Sequence, residues 1–314
     1  MKIVILDKGT LGEDIDLSPL REIGDVTAYE TTKPEEVAGR ITDADVVIVN
    51  KIKLNGGNLP GSGVKVICVA ATGYDNIDTA YCKEKGIGVC NVPGYSTDSV
   101  AQLTLSMALS LATHLTEYRD YVHDGKYSVS GAANLVAPVY HELSSMKWGV
   151  VGGGGIGMRV ARVAKAMGCD VMVCRRKKEG DFPLADIDTI CRECDIISLH
   201  VPLTDETRNM IDRERIAMMK QSAILINVAR GAVTDEAALA EAILEGKIGG
   251  LGIDVYSAEP FSCEHPFYGI RHLDNVCLTP HMAWASAEAR ARCVNEMAKN
   301  AEAFFAGEMR NRVD

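Results

Sequence analysis

Between Met1 and Val92 short apolar runs alternate with amphipathic stretches. Lys2–Leu6, Asp25–Tyr29, Val46–Asn50, Lys65–Ala70 and Gly88–Val92 read as strands. Strands separated by helix-length segments imply a parallel sheet, because each crossover must return the chain to the same edge. From Ser96 to about Asp124, Val100, Leu103, Met107, Leu111 and Leu115 recur at helical spacing, with Ser96 or Thr97 placed to cap the start. One long helix linking two domains is expected there. A second strand series follows: Lys147–Gly152, Asp170–Cys174, Asp195–His200, Ala223–Val228, Gly250–Val255 and Val276–Pro280. Six strands with intervening helical pattern make a complete dinucleotide-fold sheet. Ala289, Cys293, Met297, Ala301 and Phe304 then predict a helix over Ser286–Gly307 that packs back on the first domain. Lys126–Ser145 carries no pattern that assigns it.

Length agrees with this division. At 314 residues and 47% hydrophobic, the chain exceeds the size at which one core keeps growing. The expected fold class is α/β: two Rossmann-like, doubly wound parallel-sheet domains with a cleft between them. Residues 1–95 plus 286–314 are expected to form a substrate-binding domain and 96–285 a dinucleotide-binding domain. A formal charge of -10 offers no basic field for nucleic acid or anionic lipid. The apolar run at Met1–Leu6 is too short for a signal core, and Leu103–Leu115 is too short to cross a bilayer. A cytoplasmic protein is expected. Its ten cysteines are scattered through apolar segments, which suits reduced, mostly buried thiols better than a disulfide framework. Cys191 and Cys194 have CxxC spacing but no second pair or nearby histidine, so they read as a plain helix surface.

Gly152-Gly153-Gly154-Gly155-Ile156-Gly157 gains meaning from its context, a strand before it and the helical Met158–Met167 after it. Gly152 serves the tight turn, Gly154 the approach of backbone to pyrophosphate and Gly157 the packing of helix on strand. Amides at the helix start then bind phosphate charge. The acid that usually receives the adenosine ribose at the end of the second strand is missing. That strand runs into Arg175-Arg176-Lys177-Lys178, cations suited to a 2′-phosphate, so NADP is favoured over NAD.

Three further chemical groups lie just past strand ends, where ligands bind in this architecture. They are Arg230 after Asn227-Val228-Ala229, Asp254 with Glu259-Pro260 in the following loop, and His281 after Thr279-Pro280. Taken singly, a loop arginine or glutamate is usually solvated surface charge. The shared edge reverses that reading.

These motifs, in order and spacing, resemble the D-isomer-specific 2-hydroxyacid dehydrogenase family over the whole chain. Ala71-Thr72-Gly73-Tyr74, Asn91–Ala101 and Pro280-His281-Met282-Ala283-Trp284-Ala285 are most similar to its glycerate dehydrogenase/hydroxypyruvate reductase members. The resemblance implies that His281 is the acid/base, protonating the substrate oxygen as hydride arrives. A carboxylate such as Glu259 beside an imidazole orients it and favours its protonated form. Arg230 would hold the substrate carboxylate as a fork and stabilise developing charge. Backbone N–H groups of Thr72 and Gly73 would hold its other side, with Lys51 assisting and Trp284 either walling the pocket or filling core. Asp254 matches the family position that holds the nicotinamide carboxamide. Thr97, His200, Pro202, Val228 and Ala229 complete the cofactor set with the glycine loop, Arg175 and Arg176. His114, His123, His141, His265 and His272 have no matching context and read as structural or surface groups.

The resemblance thus implies reduction of a small 2-oxo acid, hydroxypyruvate- or glyoxylate-like, to the D-2-hydroxy acid by a homodimer built around the long helix. The alternatives are a nucleotide-sensing scaffold without activity, a dehydrogenase for a larger side chain, or a formate- or phosphite-oxidising relative. Glu259 counts against the formate version, whose members carry an amide there. The chain departs from the family between Tyr127 and Met146, where relatives usually place aromatic, substrate-facing residues and this chain has Ser128–Asn134.

Overall fold

A computed structural model describes residues 1–176 and 180–314. The expectation placed on Lys177 and Lys178 therefore lies outside the described residues. The chain forms two compact units, one of Met1–Ser96 with Ala285–Asp314 and one of Thr97–Trp284.

The first unit holds five strands: β1 (Lys2–Ile5), β2 (Asp25–Ala28), β3 (Val46–Val49), β4 (Val66–Val69) and β5 (Gly88–Cys90). They form one parallel sheet in the order β2-β1-β3-β4-β5, registered Ile5 to Ala28, Ile5 to Ile48, Val49 to Val69 and Cys68 to Cys90. Every residue of β3 and β4 is buried, as expected of central strands covered on both faces. The edge strand β2 has no buried residue. The helix Ala287–Phe305 belongs to this unit. Ser286 caps it, and the Cys68 thiol donates to the Met297 carbonyl from beneath. The tail beyond it returns to β5, where Val313 N–H donates to the Val89 carbonyl.

The second unit holds β6 (Lys147–Val151), β7 (Asp170–Cys174), β8 (Ile196–Leu199), β9 (Ile224–Asn227), β10 (Gly250–Ile253) and β11 (Val276–Leu278). All are parallel, in the order β11-β10-β9-β8-β6-β7. The usual dinucleotide order places another full strand outside β7. Here that position is a single bridge, Val173 to Leu184, with Pro183 and Ala185 bonding the Val173 backbone. β6 sits between β7 and β8, so the chain reverses direction across the sheet at the carboxyl end of β6. That reversal is where such sheets bind ligands.

The long helix departs from expectation. It runs Thr97–Ala112, breaks, and resumes as Leu115–His123. His114 adopts a left-handed conformation, φ 52° and ψ 37°, which no helix continues through. The first segment buries Val100, Met107, Ala108 and Leu111 against the second unit's core, whereas the second buries nothing. The unassigned stretch contains a short helix, Lys126–Val129, and a 3-10 turn, Leu143–Ser145. Cys191 and Cys194 are also misread as a surface pair. Both are fully buried beside Ile190 and Leu199, and burial pushes both thiols up to about 12.

Candidate active site

The glycine loop leaves β6 under close steric constraint. Gly152 has φ +112°, and a Cβ there would lie 2.4 Å from the His200 carbonyl oxygen. A Cβ at Gly157 would lie 2.0 Å from the Gly152 carbonyl oxygen, so neither position accepts a side chain. Gly154, by contrast, faces nothing within 4 Å, and it caps the helix Gly155–Ala166, with Ile156 in its first turn. The open helix start offers backbone N–H groups to an anion. The Thr97 hydroxyl lies 3.4 Å from the Cβ position of Gly155, so the two helix starts adjoin.

Arg175 lies over this loop, its Cδ 2.5 Å from the Cβ position of Gly153. Its Nε and Nη2 are buried with no hydrogen-bond partner among the described residues, and Nη1 reaches only the Met158 sulfur at 3.7 Å. Arg176 points elsewhere, exposed and paired with Glu206. His200, just past β8, buries both ring nitrogens without a partner among the described residues, and burial pushes its imidazole down to about 3. Pro202 is exposed two residues on, its carbonyl accepting from the Thr207 hydroxyl at 2.6 Å. Val228 and Ala229 are buried past β9. Orphaned donors beside an open helix start are what a dinucleotide phosphate would satisfy. The residues present fit that group.

Three neighbouring strand ends carry the remaining groups. Asn227, fully buried at the end of β9, donates from Nδ2 to the Arg230 carbonyl at 2.9 Å and accepts from Ala229 N–H at 3.0 Å. This folded turn sets Arg230 beyond the strand, with Nη1 donating to the Ala229 carbonyl at 2.8 Å. A Cβ on Gly231 would lie 2.0 Å from the Tyr256 carbonyl carbon, so the turn after β9 meets the loop after β10 backbone to backbone.

Asp254, completely buried after β10, braces the histidine turn from both sides. Its Oδ1 accepts from the Thr279 hydroxyl at 2.6 Å and Met282 N–H at 2.8 Å, and Oδ2 accepts from Ala283 N–H at 2.9 Å. Burial raises its pKa, opposed by these bonds. A carboxylate has about four acceptor directions; at least three of them serve the backbone and hydroxyl around His281. His281 itself takes the strained φ of 53°. Its Nδ1 meets Glu259 Oε2 at 2.6 Å, and Glu259 Oε1 accepts from Tyr256 N–H at 3.0 Å. Tyr256 also donates its hydroxyl to the Thr279 carbonyl at 2.8 Å. Burial, with Asp254 and Glu259 nearby, pushes that phenol up and keeps it a donor.

In the first unit, Lys51 follows β3 and its backbone N–H donates to Asp7 at 2.7 Å. Asp7, buried at the end of β1, also accepts from Asn50 N–H at 3.0 Å, and burial raises its carboxyl. Thr72 and Gly73 follow β4. The Thr72 hydroxyl donates to the Val92 carbonyl at 3.0 Å, and Asn91 donates to the Thr72 carbonyl at 2.7 Å. Trp284 is half-buried against the second unit's apolar cluster. Sequence reasoning missed Asp7, Asn227, Tyr256 and the bracing use of Asp254. Only Asp7, an acid directly past a strand, left a positional signal. Among the described residues no acid, histidine or cysteine cluster could hold a metal ion.

Residues 105–283 match the family model described as D-isomer specific 2-hydroxyacid dehydrogenase, NAD binding domain. The glycerate dehydrogenase of Methylorubrum extorquens is 35% identical over 100% of this chain and 99% of its own length. The hydroxypyruvate reductase of Blautia hydrogenotrophica is 33% identical over 100% of both. Among solved structures, an acyclic imino acid reductase in complex with NADPH and D-Arg superimposes with a TM-score of 0.88 at 28% identity, covering 100% of each chain.

Proposed function

The chain belongs to the D-isomer-specific 2-hydroxyacid dehydrogenase family, and from that premise we propose that it reduces a small 2-oxo acid of the hydroxypyruvate or glyoxylate kind with NADPH. The observation that carries this reading is the His281–Glu259 pair, 2.6 Å between Nδ1 and Oε2, one strand end away from the Arg230 turn. With Nδ1–H given to the carboxylate, Nε2 is the nitrogen that holds and delivers the proton. Arg230 binds the substrate carboxylate and stabilises negative charge growing on the carbonyl oxygen, and His281 protonates that oxygen. Thr72, Gly73 and Lys51 are assigned to the substrate carboxylate and Trp284 to the side-chain wall. When bound, the dihydronicotinamide supplies the hydride. The glycine loop, Thr97, Arg175, His200, Pro202, Val228, Ala229 and Asp254 hold and orient it, which makes the second unit the dinucleotide-binding domain and the first the substrate-binding domain.

Arg175 supports NADPH. A guanidinium buried beside the phosphate loop, with two nitrogens unpartnered among the described residues, is suited to a 2′-phosphate. Arg176 is the weaker candidate, since Glu206 already neutralises it. The exposed apolar side chains Leu115, Val122, Val129, Val136 and Val139 favour burial against a second copy, giving a homodimer. Ten free cysteines suit a reducing compartment such as the cytoplasm. Among the described residues no helix is long and apolar enough to cross a membrane.

The test is a panel of 2-oxo acids of increasing side-chain size, run with NADPH and NADH. Turnover of hydroxypyruvate or glyoxylate with higher kcat/KM for NADPH is expected. Arg175→Ala should lower kcat/KM for NADPH by about 10- to 100-fold, the worth of a charge-assisted bond, and spare NADH. No turnover of any acid would overturn the enzyme reading in favour of a nucleotide-sensing scaffold.

A further inference from the structure

Beneath the loop that carries Glu259 lies a second, hidden carboxylate. Glu236 opens the helix Glu236–Leu244, whose cap is Asp235, and its side chain is 9% exposed. Its Oε1 accepts from Ser257 N–H at 2.8 Å, and its Oε2 accepts from both the Ser257 hydroxyl and His265 Nε2, the latter at 3.1 Å. His265 Nδ1 accepts from Phe267 N–H at 3.2 Å, which fixes the tautomer that donates from Nε2. Ser257 and His265 are the two feet of the loop, and Glu259 stands between them. One buried carboxylate therefore grips both ends of the segment that presents the acid to His281.

The rest of the loop leaves little slack. The rings of Tyr256, Phe261, His265 and Phe267 pack on one another, with centroids 4.7 Å apart for Tyr256–Phe261, 5.0 Å for Phe261–His265 and 5.2 Å for His265–Phe267. Tyr256 ties this aromatic box to Glu259 through its N–H and to Thr279 through its hydroxyl, two residues before His281. Displacement of Ser257 is therefore passed to both members of the catalytic pair.

Resting on the function proposed above, we propose that Glu236 is a positioning residue for the reaction: with Ser257 and His265 it sets the reach of Glu259 to His281. Glu236 touches no reacting atom in this scheme. It acts through the loop.

Glu236→Gln keeps an acceptor for Ser257 N–H but cannot accept from the Ser257 hydroxyl and His265 together. It should lower kcat about tenfold or more, the scale of a small misplacement at a reacting centre, with KM for the dinucleotide unchanged. His265→Leu should do the same, and His265→Gln, which retains a donor at the Nε2 position, should restore activity. In a Glu259→Gln background, Glu236→Gln should add no further loss, because the contact it sets is already gone. A second readout needs no substrate: the low-field proton signal of the His281 Nδ1–H bonded to Glu259, assigned by its absence in His281→Ala. It should weaken or broaden in Glu236→Gln and persist in His265→Gln. Equal loss of kcat in both backgrounds, or an unchanged signal and kcat in Glu236→Gln, would overturn the proposal. Should Glu236→Gln not fold, Ser257→Ala removes one donor alone and is read the same way. If the wild-type protein turns over no 2-oxo acid, the function reading fails, while the proton signal still decides the positioning role.

Discussion

Two of the second unit's histidine–carboxylate pairs, His265–Glu236 and His281–Glu259, meet around one loop, and they differ in almost every respect but composition. His265 and Glu236 are 7% and 9% exposed, and both ring nitrogens of His265 are bonded within the protein. His281 and Glu259 are 23% and 30% exposed, closer at 2.6 Å, and His281 sits on a strained left-handed backbone at the end of a strand. The buried pair spends its donors and acceptors holding a loop. The open pair keeps an imidazole at the site where ligands bind in this fold. Pair chemistry alone therefore does not single out His281 for the proposed acid/base role; its exposure and its placement at the strand edge are what favour it.

The comparison breaks if the wrong histidine carries the reaction. His281→Ala should lower kcat by about 10²- to 10⁴-fold, the usual worth of an acid/base group, and leave dinucleotide affinity and thermal midpoint close to wild type. Parallel loss of affinity and activity would make His281 structural and remove the distinction.

Stability sharpens it from the other side. Truncating one partner of the buried pair, as in His265→Leu, leaves the Glu236 carboxylate with the Ser257 donors alone and an apolar side chain in place of its histidine, and should cost about 3 kcal/mol of unfolding free energy. Glu259→Gln should cost about 1 kcal/mol or less, because water screens that pair and an amide oxygen can still accept from Tyr256 N–H. Urea unfolding of the two variants measures the contrast. Equal losses would mean that the exposed pair is as structural as the buried one.

What the sequence discloses follows the same division. The inner strands are readable as apolar runs because parallel strands are covered on both faces, the edge strands β2 and β11 by their place in the alternation, and the strand ends lie within two residues of expectation where the chain frays into loops. The break at His114 is not readable, since Leu111 and Leu115 continue the helical spacing across it and a left-handed non-glycine residue leaves little local signal. Arg230, Glu259 and His281 announce themselves by standing after strands. Glu236 and His265 do not, because their meeting is tertiary, across 29 residues of chain. Arg175 and Arg176 announce themselves alike after β7; that Arg175 alone turns over Gly153, with guanidinium nitrogens unpartnered among the described residues, while Arg176 pairs with Glu206 is a matter of side-chain direction that the sequence does not disclose.

His200 supplies a third case, a histidine with no carboxylate partner among the described residues. Unfolded, its ring takes a proton near pH 6.5. Folded, burial holds it down to about 3. Below about pH 6.5 the unfolded chain therefore binds a proton that the folded chain refuses, so this contribution to stability is complete above that pH and is lost as the pH falls toward 3. Between pH 6.5 and pH 5 the loss amounts to at most about 2 kcal/mol. Cofactor-free wild-type protein should lose more unfolding free energy over that interval than His200→Gln, which has no group to titrate there. Matching losses would show that the His200 ring is hydrated in the folded protein, and that partner and placement sort these histidines without any part played by burial.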